Sequence, residues 1–121
     1  MKNSELLSRF GKLLITEAYD NHAGFVKNSL KDLKKTERFK NLFANMTHKQ
    51  KIELELLSDE LLSGMLFDFL RIFEENEEFK LIYEYEGNRV DLVKISEMLK
   101  AEPIIEGGWI DRFSEFSDKR D

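Results

Sequence analysis

The chain has 121 residues, a length that fits one domain with a substantial core, and it contains no cysteine. The lack of cysteine excludes disulfide bonds, thiolate metal sites and a cysteine nucleophile. Because 41% of the residues are hydrophobic and ten are phenylalanine, a disordered chain is excluded as well. The net charge of −5 is divided unevenly: residues 1–51 carry eleven Lys/Arg against five Asp/Glu, and residues 52–121 carry eight against nineteen.

The first predicted element is a helix over residues 4–20. Ser4 can cap it, and its apolar residues recur three or four positions apart. These residues are Leu6, Leu7, Phe10, Leu13, Leu14 and Ala18. Gly11 costs about 1 kcal/mol relative to alanine in a helix interior, so its presence indicates close contact with a neighbouring element. The segment 20–24, with its Asn and Gly, predicts the end of this helix.

A second helical region is predicted over residues 25–43, with an interruption near Thr36. It contains apolar positions at helical spacing, and basic side chains lie between them. The basic residues of this region are Lys27, Lys31, Lys34, Lys35, Arg38 and Lys40. The positive charge of the chain is therefore concentrated over residues 27–40.

A third helix is predicted to begin at Thr47, because residues 47–50 have the form of a capping box. Ser58 starts a second such signal, so the region is either one bent helix or two short ones. A broad apolar stripe follows, and we expect it to be central, with neighbours on more than one side. It comprises Leu61, Leu62, Met65, Leu66, Phe69, Leu70 and Phe73. Gly64 would allow a neighbouring helix to approach closely.

The pattern changes to that of a strand over residues 81–86, where aromatic and β-branched residues alternate with others. Gly87 and Asn88 can form a two-residue turn, which predicts a β-hairpin over residues 81–92. The cross-strand pairs of that register are Tyr85–Val90, Tyr83–Leu92 and Glu86–Arg89. Glu84 would then face Asp91, and we prefer a role for Asp91 in capping the next helix over a paired-carboxylate site.

The rest of the chain predicts a short helix ended by Pro103 and a turn at residues 107–108. A last helix is expected to pack Trp109, Phe113 and Phe116 on the body. The tail over residues 117–121 is charged and is expected to be frayed. Together the elements predict an α+β, predominantly α fold: a single compact helical domain over residues 1–121 with one small β-hairpin near residues 81–92.

No motif in the sequence indicates catalysis. The two histidines, His22 and His48, lack a partner spaced for a zinc site, and no glycine-rich phosphate loop or nucleophile elbow is present. We therefore expect a non-enzymatic protein with no catalytic residue, no metal site and no cofactor. The first residues lack the apolar core of a signal peptide, and the stretch 61–73 is too polar to cross a bilayer, so we expect a cytoplasmic protein without membrane contact.

The candidate partner-binding surface is acidic. Its residues are Glu74, Glu75, Glu77, Glu78, Glu84 and Glu86. Such a surface attracts a basic protein by electrostatic steering. In size and charge the chain compares with a small acidic bacterial immunity or antitoxin-type protein that masks a cationic toxin, an analogy of bulk properties only. The simpler interpretation is a solvated helix end whose charge is balanced by Lys80 or by the basic region.

The alternative function is a nucleic-acid-associated regulator that uses the basic region over residues 27–40. Its candidate residues are Lys31, Lys34, Lys35 and Arg38. Asp32 and Glu37 interrupt this run and the chain is acidic overall, so we favour a basic protein over nucleic acid as the partner. A small ligand-binding protein or enzyme with a cavity among its phenylalanines is a third hypothesis, and a homodimer formed through the stripe of residues 61–73 is left open.

Overall fold

The computed structural model describes residues 1–117. Helix α1 (Asn3–Leu14), a π-helical turn (Ile15–Tyr19) and helix α2 (Asp20–Asn28) follow one another without a break. The predicted helix end over residues 20–24 is therefore wrong, because the helical backbone continues through this segment to residue 28.

Contacts with the C-terminal segment explain why the helix continues. The Asp20 carboxylate accepts hydrogen bonds from the Ser114 hydroxyl at 2.5 Å and from the Glu115 backbone N–H at 3.0 Å. A Cβ atom on Gly24 would lie 3.3 Å from the Phe116 ring. Asp20 and Gly24 therefore contact the C-terminal segment and hold it against this helix, and the helix does not end at either residue.

The basic region is not one helix. After α2, the chain forms the short helices α3 (Leu30–Leu33) and α4 (Lys40–Phe43), with turns between them. The Thr36 hydroxyl donates to the Leu33 carbonyl at 2.7 Å, a local bond that competes with helix propagation. The predicted interruption near Thr36 is present, but the predicted helix over residues 25–43 is divided into three pieces.

Helix α5 (His48–Glu75) is continuous over 28 residues. Its capping box is confirmed: the Gln50 backbone N–H donates to the Thr47 hydroxyl at 3.1 Å, and the Thr47 N–H donates to the Gln50 side chain at 2.9 Å. Ser58 does not start a second helix, because its hydroxyl donates back to the Glu55 carbonyl at 2.8 Å.

The predicted hairpin is present, but its register differs from the prediction. Strands β1 (Ile82–Tyr85) and β2 (Asn88–Asp91) are antiparallel. Glu86 and Gly87 occupy the turn with φ angles of 48° and 83°, the signs of a type I′ turn. The observed pairs are Ile82–Asp91, Tyr83–Val90, Glu84–Arg89 and Tyr85–Asn88.

A shift of two residues in the pairing explains this difference. Such a shift exchanges cross-strand partners but keeps each side chain on its face, so Tyr83 and Val90 still share one face as predicted. Glu84 pairs with Arg89 and does not oppose Asp91. The Asp91 carboxylate accepts from the Val93 N–H at 3.1 Å and caps helix α6 (Leu92–Ile95), which confirms its predicted capping role.

The core joins the two ends of the described chain. Helix α7 (Trp109–Phe113) places Trp109 across α1, where the ring packs directly on the backbone of Gly11 and meets Phe10 edge-on at 5.7 Å between centroids. Trp109 is only 1% exposed. The buried cluster comprises Leu6, Leu7, Ile15, Tyr19, Ala23, Leu70, Leu92, Leu99, Trp109, Ile110 and Phe116. The close contact inferred from Gly11 is confirmed.

The observed architecture is predominantly helical with one two-stranded antiparallel hairpin, so the predicted α+β, predominantly α class is confirmed. The predicted close approach at Gly64 is not found, because no neighbouring element among the described residues comes within 4 Å of the position that a Cβ atom would take. The prediction of a frayed tail falls mostly on residues 118–121, which lie outside the described residues.

The two helical glycines should respond oppositely to alanine. Gly11→Ala places a methyl group inside the Trp109 ring contact, and we expect it to lower the free energy of unfolding by about 1–3 kcal/mol through overpacking. Gly64→Ala fills open space and should raise it by about 0.5–1 kcal/mol through helix propensity. Urea denaturation of both variants measures the difference, and a Gly11→Ala protein at least as stable as the original chain would contradict the packing described above.

Candidate functional site

The acidic run at the C-terminal end of α5 begins with a structural residue. The Glu74 carboxylate accepts a hydrogen bond from the Lys100 backbone N–H at 2.9 Å. This bond holds the 3₁₀ turn Leu99–Ala101 against α5, and Glu74 is half-buried. Glu74 therefore forms a hydrogen bond within the fold, whereas the sequence predicted an exposed carboxylate that is free to bind a partner.

Two other members of the predicted acidic surface are paired with arginines. Glu75 bonds Arg71 at 2.9 Å, and Asp68 bonds the same guanidinium at 3.4 Å. The Glu75 carboxylate, followed by that of Asp68, raises the pKa of Arg71 above its ordinary value. Glu84 bonds Arg89 at 2.8 Å across the hairpin. These pairs are exposed, so each reduces the local negative charge but adds little stability.

Glu77, Glu78 and Glu86 remain as exposed carboxylates without an ion pair among residues 1–117. Lys80, which the sequence offered as a balancing charge for the run, instead lies 3.9 Å from Asp91. The structure thus leaves half of the predicted acidic set free and engages the other half within the fold.

Three of the six basic residues, Lys27, Lys31 and Lys34, lie at the opposite end of α5. Together with the first turn of that helix they line a pocket of about 260 Å³, called here the basic pocket. Its lining residues are Lys27, Asn28, Leu30, Lys31, Lys34, Phe43, Met46, Thr47, His48 and Lys51. Lys31 and Lys34 of the predicted nucleic-acid set belong to it, whereas Lys35 and Arg38 do not. The Arg38 guanidinium lies over the Phe39 ring instead, 5.6 Å from its centroid.

One ion pair joins the basic region to α5 within residues 1–117. The Lys27 ammonium lies 3.2 Å from the Asp59 carboxylate, and the two side chains are 8% and 10% exposed. The same ammonium lies 5.3 Å from the centroid of the Phe116 ring. Lys27 lines the basic pocket, but its charge is paired with Asp59.

The apolar residues of α5 divide between two faces. Leu70 is fully buried, and Leu62 and Leu66 pack against the same core. Five of the exposed apolar residues of α5, each 44–66% exposed, are called here the apolar face of α5: Leu57, Leu61, Met65, Phe69 and Ile72. These residues are spaced by three or four positions, so they form one continuous row. The prediction of neighbours on more than one side of this stripe is wrong for the described residues.

A row of carboxylates borders the apolar face. The acidic rim consists of Glu53, Glu60, Asp68 and Glu75, all exposed. Each lies three or four residues from a member of the apolar face, which places it beside that face on the helix surface. Sequence reasoning missed Leu57, Ile72 and the rim as parts of one surface, although a stripe too broad for a single packing contact was a usable signal.

Compared with known proteins, the chain matches no family model, no curated protein and no solved structure. Within residues 1–117, no group of three or more histidine and carboxylate side chains is placed to hold a metal ion. Across the same residues, none of the helices combines the length and the apolar character needed to cross a membrane.

The buried pair of Lys27 and Asp59 should behave as a coupled structural unit. Lys27→Met leaves the Asp59 carboxylate without its cation and should lower the free energy of unfolding by roughly 3 kcal/mol. The double variant Lys27→Met/Asp59→Leu should recover most of that loss, because no uncompensated charge remains. A double-mutant cycle measured by urea denaturation tests the coupling, and simple addition of the two single effects would contradict it.

Glu74 and Glu78 should differ although they are neighbours in the same acidic run. Glu74→Ala removes the acceptor of the Lys100 N–H and should destabilise the fold by about 1–2 kcal/mol. Glu78→Ala removes an exposed carboxylate and should change stability by less than about 0.5 kcal/mol. Thermal or urea unfolding of the two variants makes the comparison, and equal effects would show that Glu74 has no structural role.

Proposed function

We propose that this chain is a non-enzymatic protein-interaction module that binds a basic partner through the apolar face of α5. The observation that carries the proposal is the row of five exposed apolar side chains beside four carboxylates, of which Asp68 and Glu75 share the Arg71 guanidinium and Glu53 and Glu60 form no ion pair within residues 1–117. An apolar row bordered by charge is the arrangement expected of a protein-binding surface. The proposal keeps the basic partner inferred from the sequence and moves its main contact from the end of α5 to its side.

The area of the apolar face favours a partner that also contacts charges. Burial of a fully exposed leucine removes about 60–120 Å² of apolar surface. Five residues that are 44–66% exposed therefore offer roughly 160–330 Å². A stable interface needs about 800 Å² from each partner. The remaining interface area has to come from polar side chains around the apolar face, and those of the acidic rim are adjacent to it.

The acidic rim also determines which partner fits. In an antiparallel pair of α5 helices related by a two-fold axis, both rims would lie along the same edge and repel each other. A different protein with lysine or arginine beside an apolar row would instead meet the rim with opposite charge. The partner chemistry that fits is a basic amphipathic helix, with apolar residues at three- and four-residue spacing.

The other free carboxylates support the same partner from a distance. Glu77, Glu78 and Glu86 lie near the C-terminal end of α5 and on the hairpin turn. Exposed charges of one sign accelerate the approach of an oppositely charged protein. An immunity or antitoxin-type role in the bacterial cytoplasm is the finer form of this proposal, and its support is the size of the chain and its net charge of −5.

A pull-down from the source cells with matched variants tests the proposal. Leu61→Gln/Met65→Gln changes the apolar face, and Leu13→Gln/Met98→Gln changes two other exposed apolar residues as a control. We expect a partner that the control retains and the face variant loses, with affinity for the purified partner weakened at least about tenfold. That partner should be basic, and its binding should weaken as salt is added.

Two results would count against the proposal. Capture of the same proteins by the face variant and the control variant would show that the apolar face is not the binding surface. Sedimentation equilibrium of the chain alone should give a monomer, and a dimer that the face variant abolishes would assign the apolar face to self-association instead.

A further inference from the structure

The basic pocket is a second candidate site, separate from the apolar face and from the proposed function that uses it. It lies where the end of α2, the short helix α3 and the first turn of α5 meet. Three lysines line it: Lys31 on α3, Lys34 directly after α3, and Lys51 on α5, which is distant from the other two in sequence. The fold therefore forms a concave, positively charged surface. This surface includes Lys51, which lies outside the basic region of residues 27–40.

The charge of these three lysines is not compensated. No carboxylate lies among the residues that line the pocket, and none of the three ammonium groups forms an ion pair within residues 1–117. Like charges three or four residues apart on a helix are mildly destabilising, and Lys31 and Lys34 have this spacing. A bound anion would remove that repulsion, whereas water only screens it.

The backbone adds positive potential to the same place. His48 is the first residue of the 28-residue helix α5 and lines the pocket. The N-terminus of a helix carries partial positive charge from its unpaired N–H groups. Because Thr47 and His48 both line the pocket, the helix end adds its positive potential to that of the three lysines, although the capping box already pairs the Gln50 N–H.

The shape of the pocket indicates the size of the anion. Leu30 and Phe43, both buried, line the pocket together with the lysines, so part of its wall is apolar. Its volume of about 260 Å³ is near the lower limit for small-molecule sites. Phe43 is 9% exposed and offers little ring surface for the base stacking that single-stranded nucleic acid uses.

We propose that the basic pocket binds the phosphate groups of a small phosphorylated molecule. Three separate ammonium groups around one depression suit a ligand with two or three linked phosphates, since lysine acts on phosphate as a point charge. A single carboxylate would neutralise only one of the three lysines. Nucleic acid, the alternative partner inferred from the sequence, would also need contacts outside the pocket.

Calorimetric titration of the full chain with inorganic tripolyphosphate in low-salt buffer tests this site. The pocket variant is Lys31→Gln/Lys34→Gln/Lys51→Gln. The control variant is Lys12→Gln/Lys35→Gln/Lys94→Gln, which removes the same charge from exposed positions outside the pocket. We expect the pocket variant to bind at least tenfold more weakly and the control to stay within about twofold of the original chain, with circular dichroism confirming that both are folded.

Parallel titrations identify the source of the phosphate. Binding of a nucleoside triphosphate with an affinity similar to that of tripolyphosphate would support recognition of the phosphate groups alone, and a tighter nucleoside triphosphate would support a nucleotide as the ligand. Equal weakening in the pocket and control variants would overturn the site, because it would show only general attraction to a polyanion. The absence of binding to any probe would overturn it too, as would a single-stranded oligonucleotide that binds more tightly than every small probe.

Discussion

The packing of Trp109 on the backbone of Gly11 is the contact on which the arrangement of the other elements depends. It fastens residues near the C-terminal end of the described chain to the first helix, and the bonds from Ser114 and Glu115 to Asp20 secure the same junction. Helix α5 packs by one face against α2 and the 3₁₀ turn. The opposite row of apolar side chains on α5 is left uncovered within residues 1–117.

Features of the fold that depend only on residues close together in the chain could be predicted from the sequence. The capping box of Thr47 and Gln50 needs only four residues, and it is formed as expected. The end of a helix and the register of a hairpin depend on more distant contacts. Gly24 lies inside a helix because its missing side chain makes room for Phe116. The hairpin turn begins at Glu86, which has a positive φ angle although a glutamate rarely adopts one. The sequence instead predicted a turn one residue later, at Gly87 and Asn88.

The candidate sites were harder to predict, because a sequence gives the number of charged side chains but does not show which of them are paired within the fold. Glu74 is engaged by a backbone N–H 26 residues away, and Lys27 by a carboxylate 32 residues away. In contrast, Lys51 joins Lys31 and Lys34 only because α5 returns beside α3. Helical periodicity identified which residues of α5 are apolar, but the division between a packed and an exposed face depends on which neighbours the rest of the chain supplies.

The lysines of the basic pocket and the free carboxylates at the far end of α5 do not neutralise each other, and helix length explains why. The basic pocket and the acidic run lie at the two ends of α5, and 28 residues of helix span about 42 Å. At physiological ionic strength exposed charges are screened over about 8 Å. The charges at one end of α5 therefore do not appreciably weaken the potential at the other end. Each end therefore keeps its own potential: positive at the first turn, where the basic pocket lies, and negative around the exposed Glu77 and Glu78. A single rigid helix keeps two incompatible charge surfaces apart in a chain too small to place them on separate domains.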